Sequence, residues 1–128
     1  MRPSCARPGG SLLLTGDIEA AQEQKLVSVL GSAGLASEIL LVPHHGSRTS
    51  SSETFLQAVA PRVAIIQAGY RNRFRHPSQA VLARYREQGV RVLRTDHDGA
   101  LTIRFSNGRP TEILATRAGT GPYWRIRP

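Results

Sequence analysis

Ile39-Leu40-Leu41-Val42-Pro43-His44-His45-Gly46-Ser47 decides the fold. The continuous apolar run reads as a buried strand, and Pro43 onward is a polar segment at its carboxyl end. Outward from it, strand and helix alternate. Leu12-Leu13-Leu14 is another buried strand, and residues 19–33 place Leu26, Val27 and Leu30 at helical spacing. On the other side, Ser50 and Glu53 form a Ser-x-x-Glu capping signature. Phe55, Leu56 and Val59 line the short helix that follows. Val63-Ala64-Ile65-Ile66 is a third strand. Pro77 suits the first turn of a helix with Val81, Leu82 and Tyr85 inward, and Gly89 ends it. Val90-Arg91-Val92-Leu93 is a fourth strand. Asp96-His97-Asp98-Gly99 is a turn, Leu101, Ile103 and Phe105 alternate as a half-buried strand, and Asn107-Gly108 turns the chain into Thr111–Ala115. The order β-α-β-α-β-α-β-β-β implies an α/β sheet carrying helices. Parallel strands need cover on both faces. Three helices are few for that, so a second layer is expected to be missing.

Size and composition agree with one small domain or part of one: 128 residues, 40% apolar and 5% aromatic, which is globular rather than disordered. The apolar runs are far too short for a membrane span, which needs roughly 20 residues. Met1-Arg2-Pro3-Ser4-Cys5 opens no signal peptide. A lone Cys5 excludes an intrachain disulfide framework and a cysteine-based zinc finger. Residues 1–64 hold five basic and five acidic side chains, whereas residues 65–128 hold twelve and four, so the whole net charge of +8 lies in the second half. Arginine supplies it. That suits an anionic partner, since guanidinium pairs bidentately with phosphate; it also suits a solubilised surface or an arginine-rich genome.

Three segments carry chemistry, each directly after a strand. Thr15-Gly16-Asp17 puts a carboxylate at a strand end, either as a site residue or as a helix cap. The adjacent His44 and His45 offer imidazoles, which ligate Zn, Mn or Fe and carry protons near neutral pH. Neighbouring side chains of an extended chain point to opposite faces. One of the pair would then face a metal, and the other a second metal, a substrate phosphate or a structural hydrogen bond; two surface histidines are the alternative. Gly69-Tyr70-Arg71-Asn72-Arg73-Phe74-Arg75-His76-Pro77 combines cations with a helix start, as a phosphate site would, and Tyr70 and Phe74 could stack on bases. Its alternative is a solvated loop with His76 capping the helix. The serines Ser47, Ser50, Ser51 and Ser52 lack a nucleophile-elbow context. In a parallel sheet all three segments share one edge, where α/β sites lie.

The strings Leu-Leu-Leu-Thr-Gly-Asp-Ile-Glu from Leu12, Leu-Leu-Val-Pro-His-His-Gly-Ser-Arg-Thr-Ser-Ser from Leu40, and Asn-Arg-Phe-Arg-His-Pro from Asn72 resemble the metallo-β-lactamase-fold domain of ComEC-type DNA-internalisation competence proteins. The turn Arg94–Leu101 and the terminal Tyr123-Trp124-Arg125 are similar too, and the likeness is good over residues 11 to about 105. It implies an αββα sandwich and a metal-dependent DNA phosphodiesterase with two divalent ions, Zn or Mn. Asp17 would bridge the ions. One of His44 and His45 would ligate and the other would lie at the phosphate, so the implied metal set is Asp17, His44 and His45, with His44 also catalytic. Arg71, Asn72, Arg73, Arg75 and His76 would hold the phosphate or DNA. The implied partners are DNA and the rest of a multispan protein of the inner (cytoplasmic) membrane, from which this domain stands out as a soluble part.

The family's His-x-His-x-Asp-His motif precedes the Gly-Asp strand, whereas the sixteen residues before Asp17 contain no His, and the chain has four His in all. Arg75 stands where relatives often have Gly. Residues 1–116 are thus expected to be the incomplete, carboxyl-terminal half of the sandwich, weak in metal binding and catalysis alone, with 117–128 a loose tail. Two other readings are a non-catalytic DNA-binding or assembly module of an uptake machine, and another hydrolase of the superfamily.

Overall fold

The structure is a computed structural model and describes residues 10–107 and 109–117. Met1–Cys5, Gly108 and Tyr123-Trp124-Arg125 lie outside them. Strand β1 (Leu12–Leu13) leads through helix α1 (Ala20–Leu35) to β2 (Ile39–Leu41) and the turn Pro43–Gly46. Helix α2 (Glu53–Val59), strand β3 (Val63–Ile66), helix α3 (Gln79–Glu87) and strand β4 (Arg91–Arg94) follow. A one-turn helix α4 (Thr95–Asp98) precedes the antiparallel hairpin of β5 (Leu101–Ser106) and β6 (Arg109–Ala115).

Strands β1 to β4 form one parallel sheet in sequence order, and the hairpin is a separate two-stranded sheet. Register aligns Leu13, Leu40, Ala64 and Val92 in one row across the sheet. That row, with Val42 and Ile66, packs on Leu35 of α1, Phe55, Leu56 and Val59 of α2, and Val81 and Tyr85 of α3. The fully buried Leu, Ile, Val and Phe side chains among them contribute about 1.5–3 kcal/mol each. One face of the sheet therefore carries all three longer helices. The opposite face presents Leu12, Ile39, Leu41, Val63, Ile65 and Leu93, none of which joins that core. The α/β alternation expected from the sequence is thus present, with every helix-bearing contact on one side.

Local details differ where side chains compete for the backbone. The Ser50–Glu53 signature does not cap α2: Ser52 is the N-cap, and the Ser50 hydroxyl turns inward to the carbonyls of Pro43 and Ser47 at 2.9 Å each. The reciprocal pairing occurs instead at α1, where the Glu19 N–H donates to Gln22 Oε1. Pro77 precedes α3 rather than entering it, and Ser78 is the cap, accepting from the Val81 N–H. Leu14 lies beyond β1 and is 67% exposed. Asp96-His97-Asp98 closes a helical turn, with Gly99 at φ 76 ending it, because Asp98 Oδ2 accepts the Arg94 N–H and starts the turn. Among the described residues no helix is long and apolar enough to cross a membrane.

Candidate functional site

Because β1 to β4 run parallel, the segments after them meet at one edge. Gly16, at φ 60, turns the chain after β1, and its carbonyl accepts the His44 N–H at 3.0 Å. Thr15 Oγ1 donates to the Leu41 carbonyl at 2.9 Å. The Asp17 and His pair segments are thereby tied together by backbone and hydroxyl bonds.

The His pair is not extended. Both residues take the left-handed conformation, His44 at φ 50, ψ 39 and His45 at φ 55, ψ 22. Such non-glycine strain costs about 1–3 kcal/mol per residue and gathers at functional sites. Gly46 permits it: at φ 79 a Cβ there would lie 2.6 Å from Pro77 Cβ, and its carbonyl accepts the Ser78 N–H. Consequently the two rings diverge. His45 places Nε2 at 3.6 Å from Asp17 Oδ1, while its Nδ1 lies 2.9 Å from the Gln67 carbonyl. A carbonyl only accepts, so neutral His45 carries its proton on Nδ1 and leaves the Nε2 lone pair facing Asp17. His44 turns to the other side. Its Nδ1 is shielded from solvent and lies 3.2 Å from Glu19 Oε1, without hydrogen-bond geometry, and its ring centroid is 6.1 Å from that of His76.

The loop after β3 presents the cations. Arg71, Arg73 and Arg75 are exposed, Arg71 lying over the Tyr70 ring and Arg73 over Phe74 at 5.3 and 4.9 Å from the ring centroids. Arg71 and Arg75 have φ of 50 and 53, the region that favours glycine. Asn72 folds its amide into the loop: Nδ2 donates to the carbonyls of Gly69 and His76, and Oδ1 accepts the His76 N–H. This holds His76 stacked on Phe74, 14° from parallel, and turned to His44.

Sequence reasoning missed the groups that brace this edge. Glu23 on α1 is fully buried, and its two oxygens accept the N–H groups of Ser51 and Ser52 at 2.6 and 2.8 Å. Arg84 donates to the carbonyls of Ser50 and Ser51, and Tyr85 Oη meets Ser51 Oγ at 3.1 Å. Burial pushes the Tyr85 phenol well above its usual range; Glu23's charge acts the same way, against the Ser51 hydrogen bond and Arg84. Glu19 Oε1 accepts from Thr49 Oγ1. Only Glu19 carried a signal, standing in the same Thr-Gly-Asp-Ile-Glu string as Asp17.

The Asp96 turn spends its acids internally. Arg94 donates Nε and Nη2 to Asp96 at 3.0 and 2.6 Å, and Arg117, the one residue of the expected tail among those described, donates to the Asp96 carbonyl. Burial alone would raise the Asp96 carboxyl, but the Arg94 hydrogen bond and charge, with His97, hold it below the usual carboxylate range.

Donors about 2.1 Å from a tetrahedral ion stand about 3.4 Å apart, so Asp17 and His45, with facing atoms 3.6 Å apart, have a spacing that two donors of one ion could take, as do His44 and Glu19 at 3.2 Å. Among the described residues no group of three or more His, Cys, Asp and Glu is arranged to hold a metal.

No family model and no solved structure matches the chain. It is similar to Competence protein ComA of Neisseria gonorrhoeae, 45% identical over 121 residues, 94% of this chain and 17% of that protein. ComE operon protein 3 of Bacillus subtilis is 42% identical over 77% of this chain and 12% of that protein. Recombination protein 2 of Haemophilus influenzae is 38% identical over 89% of this chain and 14% of that protein. The chain thus spans well under a fifth of the length of these curated relatives, and within that stretch it belongs to the ComEC-type competence proteins.

Proposed function

We propose that this chain forms part of a metal-dependent DNA phosphodiesterase domain within a DNA-uptake competence protein, folded as one half of a metallo-β-lactamase-like αββα sandwich. The name of one relative speaks of competence and that of another of recombination, which supports a DNA partner. The parent protein sits in the inner membrane and carries this domain as a soluble part. The one-sided placement of α1 to α3 supports the half sandwich.

The observation that carries the reading is the Asp17–His45 pair, with the imidazole oriented by the Gln67 carbonyl. These two residues would hold a divalent ion, Zn or Mn, and the complete domain two. Such ions lower the pKa of bound water and polarise phosphoryl oxygens. His44, beside Glu19 and facing His76, binds on the phosphate side rather than beside Asp17. Arg71, Arg73 and Arg75 hold the DNA backbone, and Asn72 keeps their loop in shape. Two donors are fewer than the three or more protein ligands that a catalytic ion takes, so this chain alone binds metal weakly and catalyses little.

Two measurements test this. Single-stranded DNA affinity should fall steeply with salt, and Arg71→Ala, Arg73→Ala and Arg75→Ala should each lower the slope by about one unit. Salt-independent affinity overturns the DNA reading. Metal analysis of the purified chain should find substoichiometric, readily chelated metal that drops further in Asp17→Asn and His45→Ala. Two tightly held equivalents would contradict the incomplete site. The lack of a three-donor group among the described residues also favours a second reading, a non-catalytic DNA-binding or assembly module; DNA binding indifferent to both Asp17→Asn and His45→Ala, with no metal response, would select it.

A further inference from the structure

The segment Thr95–Asp98 holds two acids and a histidine at a strand end, yet Asp96 and Asp98 are both engaged within it. Its use lies in Thr95. The Thr95 hydroxyl accepts the Ala68 N–H at 2.9 Å and donates to the Ala68 carbonyl at 3.1 Å, gripping one residue of the neighbouring strand's extension from both sides. The adjoining carbonyl, Gln67 O, is the one that His45 Nδ1 meets. A contiguous path therefore runs from Asp98 on the Arg94 N–H, through Thr95 and Ala68, to the imidazole facing Asp17.

We infer that Thr95 is a positioning residue for His45: by clamping Ala68 it aims the Gln67 carbonyl at Nδ1 and so fixes the ring tautomer and orientation that present Nε2 to Asp17. A carbonyl free to rotate about its peptide would release Nδ1, and the ring would sample the Nε2-protonated form, which has no lone pair at the nitrogen that faces Asp17. Partners of this outer kind typically change metal affinity 10- to 100-fold. The inference rests on the reading of His45 as a metal donor for its functional meaning, whereas the orientation itself is a property of the metal-free chain.

The test uses the full chain, labelled with ¹⁵N in its histidines, free of metal and at alkaline pH. Long-range ¹H–¹⁵N spectra should report His45 as the Nδ1-protonated tautomer in the wild type and in Thr95→Ser, and a mixture in Thr95→Val, which keeps the side chain's shape and loses both bonds. Mn²⁺ titration should then show affinity at least about tenfold weaker in Thr95→Val than in Thr95→Ser. An unchanged His45 tautomer in folded Thr95→Val overturns the inference. If Thr95→Val does not fold, Thr95→Ala removes the same hydroxyl, and an unchanged tautomer there overturns it equally. A tautomer shift in a protein that binds no Mn²⁺ in any form upholds the positioning role and removes the metal reading instead.

Discussion

Two strand ends in this molecule carry acids and histidines, and they use them in opposite ways. After β2, the His44-His45 turn adopts two consecutive left-handed residues and turns its imidazoles outward, to Glu19 and to Asp17. The segment that follows it is held from outside: Glu23 takes the N–H groups of Ser51 and Ser52, Arg84 the carbonyls of Ser50 and Ser51, and Tyr85 the Ser51 hydroxyl. After β4, the Asp96-His97-Asp98 turn is regular helix and closes on itself, with both carboxylates taken by Arg94. The difference teaches that ligand-type residues signal a site where the backbone is strained and the donors remain unspent. Where the same residue types satisfy their own turn, they are structural.

The largest effect should come from Glu23. Replacing it by Ala leaves two buried N–H groups without partners, at about 1–3 kcal/mol each, so Glu23→Ala should lose about 3 kcal/mol in urea unfolding, and Glu23→Gln less. A loss below about 0.5 kcal/mol would mean that the Ser51 and Ser52 N–H groups do not depend on Glu23. Asp96→Ala, which removes a two-point contact to Arg94, should cost about 2 kcal/mol in the same unfolding measurement.

The pH dependence separates the turns further. Asp96 has a folded-state pKa below its unfolded value, so its contribution is present above about pH 4 and is lost as pH falls through the folded value. Asp96→Asn should flatten acid destabilisation in that window. Tyr85 is shifted the other way. Its folded pKa lies above the unfolded value, so its contribution is intact below about pH 10 and declines as pH rises further. Tyr85→Phe should flatten the alkaline decline and cost about 1 kcal/mol at neutral pH, through the lost Ser51 contact. The smallest effect belongs to His97→Ala. That ring is exposed and only 3.8 Å from Asp96, and its removal should stay within about 0.5 kcal/mol by thermal unfolding.

Much of the molecule was legible from residue order. Continuous apolar runs identify β2 and β3 because a parallel strand is buried on both faces. The position of Asp17, His44 and the Arg71–His76 loop directly after successive strands brings them to one edge, because parallel strands end on the same side. The capping signature at Ser50 misled, because a buried serine found two carbonyls closer than the helix amides. Thr95, Gln67 and Glu23 left no periodic or motif signal. Their roles come from contacts across 22 to 29 residues of chain, with one of them made by a main-chain carbonyl that any residue type would supply.

The sequence by itself therefore determined the α/β alternation, the edge at which the chemistry gathers, the concentration of positive charge in the second half and the family. Those follow from patterns local to each segment. Only the tertiary structure decided which histidine faces Asp17, that His44 belongs with Glu19 and His76, and that the Asp96 turn is a brace. Adjacent residues share every local property, so their assignment depended on the left-handed turn and on the carbonyl that a neighbouring strand holds in place.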